Sequence, residues 1–134
     1  MTDKDNNRQK SGRSIRLLMA ELSGVNVTHS ELHYEGSCAI DSDLLDISGI
    51  VDSQQIEITN KTLGTRFTTY VILAEAGSGT ISINGAAAHM ADPGDIIAIS
   101  AYAYFSEEEV KGFSPVRISL DENNKPLNQM KNCG

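Results

Sequence analysis

The chain has 134 residues, enough for one domain with a single core, and its lack of Trp and 5% aromatic content require that core to be aliphatic. Its net charge of −7 argues against nucleic acid as a partner, because phosphate binding needs a concentrated basic face. It has no apolar run long enough to span a bilayer, so we expect no membrane partner and a cytoplasmic location.

Both ends of the chain are polar. Residues 1–13 mix charges and contain no hydrophobic stretch typical of a signal peptide, so we predict a disordered N-terminal extension. Residues 128–134 are predicted to be a polar C-terminal tail, which leaves 14–127 as the folded domain. The spacing of Cys38 and Cys133 is not typical of a disulfide framework or a zinc site, so we predict free thiols.

The first third of the chain indicates short strands. Residues 15–22 are predicted to form a strand, although periodicity alone also permits a helix. A break at Ser23 and Gly24 precedes an alternating segment at 25–28, which is predicted to be a second strand. Residues 31–34 are predicted to continue that strand toward a turn.

A short helix and a hairpin come next. Asp41 or Ser42 is a candidate N-cap, and Gly49 is expected to end the helix. Residues 55–59 alternate between polar and apolar side chains, and 67–73 form their predicted partner strand across a turn.

The second half of the chain contains more short elements of the same kind. We predict strands at 80–83, 96–104 and 116–120, and short helical segments at 85–89 and 107–110. Many short strands between turns indicate a mainly β domain, either a small barrel or a sandwich with short helices, and composition does not choose between these two.

The bond between Gly36 and Ser37 is a candidate site of self-cleavage. A serine hydroxyl can attack the carbonyl group that precedes it, and glycine allows that carbonyl to enter a strained turn without a Cβ clash. Taken alone, the pair is more typical of an ordinary turn.

Seven short sequence blocks in a fixed order support self-cleavage over an ordinary turn at Gly36 and Ser37. They are Leu32-His33-Tyr34-x-Gly36-Ser37, Ile40-Asp41-x-Asp43-Leu44, Arg66-x-x-Thr69-Tyr70, Gly77-Ser78-Gly79, Ile83-Asn84-Gly85-Ala86-Ala87-Ala88-His89, Pro93-Gly94-Asp95 and Asn124-Lys125-Pro126. Together they resemble the pyruvoyl-dependent aspartate 1-decarboxylase family, over a stretch that runs from about residue 15 to about residue 127.

The resemblance implies a double-psi β-barrel with short helices, assembled as a homotetramer. It also implies that the chain cuts itself between Gly36 and Ser37, and that Ser37 becomes a covalent pyruvoyl cofactor. The implied reaction is α-decarboxylation of a small amino acid. For aspartate the product is β-alanine, which serves pantothenate and coenzyme A biosynthesis. Some relatives of this kind need a maturation factor to complete the cut.

Two side chains on one predicted strand match family residues. Arg66 matches the family's carboxylate-binding cation, a role that suits its planar fork, although a surface ion pair is the alternative. Tyr70 lies on the same face four positions later and matches the family's proton donor, although a half-buried core tyrosine is the alternative. Thr69 points to the opposite face, and in the family it helps to arrange the cleavage turn.

Further candidates lie after the next turn. Asn84 matches a family residue that hydrogen-bonds near the reacting carbonyl, although a turn residue with positive φ is the alternative. The amides of Gly85, Ala86 and Ala87 are candidates for binding an anion. Tyr34 precedes the cut and is a candidate contact for the cofactor or its assembly.

The histidines lack the spacing of a metal site, so no metal is predicted. They are His29, His33 and His89.

The chain departs from the family pattern in its first predicted strand. Glu21 and Ser23 occupy the positions of a family lysine and histidine. Two alternatives follow: the same chemistry on a different amino acid, or an uncut barrel without catalysis. Arg16 or Arg13 could instead refill the position of the missing positive charge.

Overall fold

The computed structural model describes residues 12–127. The expectations for residues 1–11, for the tail at 128–134 and for Cys133 concern parts of the chain outside that range.

The strands and helices of the described range are short. The strands are β1 (Ser14–Asn26), β2 (His29–Glu31), β3 (Ser37–Asp41), β4 (Gln55–Asn60), β5 (Thr65–Ala74), β6 (Ile81–Asn84), β7 (Ile96–Ser106) and β8 (Val116–Ser119). The helices are α1 (Ser42–Ser48), a 3-10 helix (Gly85–Met90) and α2 (Glu107–Val110). In residues 12–127 no helix has the length and apolar character needed to cross a membrane.

All eight strands belong to one sheet, in the order β2-β6-β3-β5-β4-β7-β1-β8. The pairs β1/β8, β2/β6 and β3/β5 are parallel, and the remaining neighbours are antiparallel. The sheet encloses an aliphatic core, as the composition requires. Its largest fully buried apolar side chains are Leu22, Val25, Ile40, Leu44, Ile56, Ile58, Val71, Ile81, Ile83, Ile97 and Ile99.

The first strand corrects two predictions. The expected break at Ser23 and Gly24 is a bulge inside β1, which pairs with β7 on both sides of it. Gly24 has a φ of +67° there, and a Cβ on it would lie 3.0 Å from the carbonyl oxygen of Leu120. The separate strand predicted at 25–28 is therefore wrong, because residues 25 and 26 end β1. Pairing with β7 and β8 also excludes a helix at 15–22.

The segment around the proposed cut differs from the prediction as well. The strand predicted at 31–34 ends at Glu31, and the amide of Tyr34 turns back to the carbonyl oxygen of Glu31 at 3.3 Å. Strand β3 was not predicted. It lies between β5 and β6, and four of its five residues are buried. Its sequence therefore does not alternate between polar and apolar residues as that of a half-exposed strand does.

The helix and hairpin predictions are confirmed. Asp41 caps α1 by accepting from the amide of Asp43, and Gly49 ends it in the left-handed conformation with φ 81°. Strands β4 and β5 pair as the expected antiparallel hairpin. The segment predicted as helical at 85–89 is a 3-10 helix, and the one at 107–110 is α2.

The side chain of Asp41 joins α1 to the turn between β5 and β6. Its carboxylate accepts hydrogen bonds from the amides of Asp43 (2.9 Å), Gly77 (2.9 Å) and Gly79 (2.8 Å). Burial alone would raise the pKa of Asp41, but these three amides and the charge of Lys125 lower it below its ordinary value. The charged form therefore stabilises the fold around β3.

We expect Asp41→Asn to lower the free energy of unfolding by about 1.5–3 kcal/mol, because hydrogen bonds to a charged acceptor are lost. Since the folded pKa is lowered, this stabilisation is present above the ordinary carboxyl pKa of about 3.9 and is lost as pH falls through the folded pKa. Urea unfolding of both proteins at about pH 6 and at about pH 2.5 measures the effect.

The difference between the wild type and Asp41→Asn should shrink at the lower pH. Asp46→Asn is the control, because Asp46 lies on the same helix with an exposed side chain. A difference that stays constant with pH would contradict the assigned role of the Asp41 charge.

Candidate active site

The strand register brings Ser37 next to two predicted site residues. Ser37 begins β3 and lies opposite Asn84 in the antiparallel pair with β6. On the other side of β3, Cys38 pairs with Val71 of β5, so Ser37 and Tyr70 immediately precede that pair. Three segments far apart in the sequence therefore meet at Ser37.

The Ser37 hydroxyl is buried and hydrogen-bonded. Ser37 is only 3% exposed. The hydroxyl donates to the carbonyl oxygen of Glu35 at 3.3 Å and accepts from Nδ2 of Asn84 at 3.0 Å. These contacts hold the oxygen beside the Gly36–Ser37 peptide bond.

Asn84 has a fixed orientation. It is 2% exposed, and its Oδ1 accepts from the hydroxyl of Ser82 at 2.7 Å, which directs Nδ2 to Ser37. Its φ of −111° is that of an extended residue, so the alternative of a positive-φ turn residue is wrong. Sequence reasoning missed Ser82, although its spacing of two from Asn84 on one strand places both side chains on the same face.

An open pocket of about 310 Å³ surrounds this centre. It is lined by Tyr34, Glu35, Ser37, Tyr70, Ile72 and Asn84. Tyr70 is 41% exposed, so the alternative of a core tyrosine is wrong. The pocket holds a nucleophilic oxygen, an amide donor and a phenol within one small space.

Arg66 does not line this pocket. It shares the exposed face of β5 with Tyr70, as predicted, while Thr69 is half-buried on the opposite face beside Ile56. Four residues of an extended strand span about 13 Å, so the backbone of Arg66 lies that far from the backbone of Tyr70. Within one chain, the structure therefore separates the predicted carboxylate-binding residue from Ser37.

The glycine and alanines after Asn84 open the 3-10 helix. Gly85 is buried against the turn that contains Gly36, whereas Ala86 is exposed and Ala87 is half-buried. The structure thus brings the start of this helix to the proposed cleavage site.

Cys38 is an unreactive cysteine, although it directly follows Ser37. It is a buried free cysteine, as expected, and burial raises the pKa of its thiol to about 12. A thiol with that pKa stays protonated at neutral pH, so Cys38 lacks the thiolate form that makes a cysteine reactive. Within residues 12–127, no group of three or more His, Cys, Asp or Glu side chains is placed to hold a metal ion.

Comparison with known proteins identifies the family. The family model described as aspartate decarboxylase matches residues 14–127. The chain belongs to the aspartate decarboxylase family. Membership confirms the resemblance seen in the sequence, and the described residues form the predicted mainly β fold with short helices.

Individual relatives are similar over most of their length. The aspartate 1-decarboxylase of Thioalkalivibrio sulfidiphilus is 55% identical over 111 residues, covering 83% of this chain and 88% of the relative. That of Hydrogenovibrio crunogenus is 51% identical over 111 residues, covering 83% and 86%. Among solved structures, the rationally designed protein mkDPBB_sym_86 matches 67% of this chain and 94% of its own, with 16% identity and a TM-score of 0.43.

The two departures from the family pattern lie on the pair β1/β8. Glu21 is in register with Arg117, and their side chains form an ion pair at 3.1 Å. Ser23 is in register with Ser119, and their hydroxyl oxygens are 3.3 Å apart. The positive charge next to Glu21 therefore comes from Arg117, which sequence reasoning did not identify.

The two arginines considered for that role have other partners. Arg13 forms an ion pair with Glu107 at 2.7 Å. The guanidinium of Arg16 lies 5.9 Å from the ring centre of Tyr102, within the range of a cation–π contact. Within one chain, neither arginine therefore takes up the alternative of refilling the position near Glu21.

Proposed function

We propose that this chain is a self-processing, pyruvoyl-dependent aspartate 1-decarboxylase that converts L-aspartate to β-alanine and CO2, for pantothenate biosynthesis. The observation that carries the proposal is the Ser37 hydroxyl, held by the buried amide of Asn84 in a pocket shared with Tyr70. The names of the similar proteins favour aspartate over another amino acid and a working enzyme over an uncut barrel.

The surroundings of Ser37 fit a pyruvoyl group formed in place. The residue is buried, opens onto a pocket, and has an amide donor 3.0 Å from its side-chain oxygen. At Gly85, the backbone comes so close to Gly36 that a Cβ there would overlap it. A small group formed from residue 37 itself therefore fits between this packed turn and the open pocket.

Cleavage uses only the chain and one water molecule. The Ser37 Oγ forms a bond to the Gly36 carbonyl carbon, the C–N bond breaks, and the hydroxyl proton moves to the nitrogen. Loss of the Ser37 Cα proton then breaks the Cβ–Oγ bond, which leaves Gly36 as a carboxylate and residue 37 as dehydroalanine. Water replaces the nitrogen, which departs as ammonia.

The residues around Ser37 then serve the reaction. When present, the pyruvoyl group supplies a ketone that binds the substrate amine and accepts the electrons released with CO2. Tyr70 is proposed to return a proton to the substrate carbon, and Asn84 to stabilise charge on the adjacent oxygen. Tyr34 is proposed to contact the cofactor, and Thr69 to support the cleavage turn.

Substrate binding is assigned to Arg66 and to the amides of Gly85, Ala86 and Ala87. Arg66 suits a carboxylate because its planar fork donates two hydrogen bonds. In the proposed homotetramer, the exposed face of β5 in one copy would meet the pocket of another copy, which would bring Arg66 to the substrate.

The remaining assignments follow from the same proposal. Residues 14–127 are proposed to form the catalytic barrel. The enzyme works in the cytoplasm, and a maturation factor is a candidate partner for its self-cleavage.

The proposed substrate is tested with purified, cleaved protein. We expect aspartate to yield CO2 and β-alanine, with kcat/KM at least about 10-fold higher than for glutamate, because one methylene in a fitted site is worth about 10–200-fold. Isotope-labelled CO2 release and mass spectrometry of the product measure both. Equal or better turnover of glutamate, or cleaved protein that does not act on aspartate, would contradict the substrate assignment.

A further inference from the structure

Two glycines far apart in the sequence meet at the proposed cleavage site. Gly85 begins the 3-10 helix with a φ of +77°. A Cβ on Gly85 would lie 2.6 Å from Cα of Gly36, 2.7 Å from its nitrogen, and 3.2 Å from the carbonyl carbon of Glu35. All three are backbone atoms, so they cannot move aside as the end of a flexible side chain can.

The space around Gly36 itself is different. Apart from its two chain neighbours, a Cβ on Gly36 would meet no atom within 4 Å, and its φ lies outside the left-handed region. The explanation suggested by the sequence, that Gly36 avoids its own Cβ clash in a strained turn, is therefore wrong for this structure. The steric requirement for glycine lies at Gly85, 49 positions downstream.

Asn84 and Gly85 together hold both partners of the bond rearrangement. The amide of Asn84 holds the attacking oxygen of Ser37 at 3.0 Å. The backbone of Gly85 packs directly on Gly36, whose carbonyl carbon is attacked. One dipeptide therefore contacts the nucleophile with a side chain and lies with its backbone against Cα and N of Gly36, the residue that carries the acyl group.

We infer that Gly85 is a positioning residue for self-cleavage, because its missing side chain lets the 3-10 helix seat the Gly36 carbonyl against the Ser37 hydroxyl. This inference rests on the proposed function. The step concerned is the acyl shift, in which the Oγ–C bond forms, the C–N bond breaks and the proton passes from oxygen to nitrogen. A displacement of about 1 Å in a reacting group can cost about 100-fold in rate.

The chain supplies a matched control for this inference. Gly64 has a φ of +78°, nearly that of Gly85, but a Cβ on it would meet nothing within 4 Å. Gly64→Ala and Gly85→Ala therefore carry a similar backbone strain, and only Gly85→Ala adds the contact with Gly36. We expect a larger loss in Tm for Gly85→Ala than for Gly64→Ala, because of that contact, and a cleavage half-time at least 10-fold longer, followed by intact mass spectrometry after expression.

A second pair of variants keeps the test decisive if Gly85→Ala does not fold. Asn tolerates positive φ better than Ala, so Gly85→Asn keeps the clash with less strain, and Gly64→Asn is its control. We expect the slow cleavage to persist in Gly85→Asn. Hydroxylamine, which cleaves esters, should also trap less of the Gly36–Ser37 ester in the Gly85 variants than in the Gly64 variants.

The possible outcomes distinguish a failure of this inference from a failure of the proposed function. A wild type that cuts, together with Gly85 variants that cut within 2-fold of their Gly64 controls, would overturn the role of Gly85 alone. A wild type that never cuts would overturn the proposed function, and this inference with it.

Discussion

Ser37→Ala should leave the chain as one uncut polypeptide without decarboxylase activity. The variant lacks the hydroxyl oxygen that attacks the Gly36 carbonyl, and the methyl group of alanine cannot replace it, while the neighbouring Cys38 thiol is buried and protonated. The expected effect is complete loss of both fragments in the intact mass spectrum and of CO2 release from aspartate.

The fold should survive this change at modest cost. The substitution deprives Nδ2 of Asn84 of its acceptor, and a buried donor left without a partner costs about 1–3 kcal/mol. Ser48→Ala is the control, since Ser48 is equally buried but lies on α1. We expect Ser48→Ala to be cut and active. A Ser37→Ala protein that still decarboxylates aspartate would disprove the pyruvoyl proposal.

Tyr70→Phe should separate cleavage from turnover. The Ser37 hydroxyl is hydrogen-bonded to the carbonyl oxygen of Glu35 and to the side-chain amide of Asn84. Removing the Tyr70 hydroxyl therefore leaves both of these hydrogen bonds intact. We expect normal cleavage but a kcat reduced by about 10²–10⁴-fold, the usual contribution of a positioned proton donor. Intact mass and steady-state kinetics on the same preparation measure the two effects.

The control for Tyr70 is another exposed tyrosine of the sheet. Tyr104 lies on β7 and does not line the Ser37 pocket, so Tyr104→Phe should keep the wild-type kcat. If Tyr70→Phe turned over aspartate as fast as Tyr104→Phe does, Tyr70 would not be the proton donor.

Local patterns were enough to predict the regular parts of the fold. The alternation in β4 and β5 predicted their pairing, and Asp41 and Gly49 correctly marked the two ends of α1. These features depend on residues close in sequence, so propensity and capping rules apply to them directly.

The parts that failed depend on partners distant in sequence. Strand β3 is set by parallel pairing with β5 and antiparallel pairing with β6, which no local pattern records. The bulge at Gly24 was predicted to be a break between two strands. Its glycine lies against the carbonyl oxygen of Leu120, a contact that the local sequence does not show. In both cases tertiary pairing decided the local structure.

The site shows the same division. The resemblance supplied Ser37, Tyr70 and Asn84 as candidates, and the structure places all three around one pocket. The contact between Gly85 and Gly36 depends on the turn before β3 meeting the helix after β6, so sequence spacing could not reveal it. The same holds for Arg117 beside Glu21, because β1 and β8 are paired in parallel.

Intact mass spectrometry of freshly purified, denatured wild-type protein tests the central claim most directly. We predict two fragments that divide between Gly36 and Ser37, the longer one beginning with a pyruvoyl group. Their masses should sum to that of the uncut chain plus one water minus one ammonia. A single unmodified chain of 14.5 kDa would contradict the account.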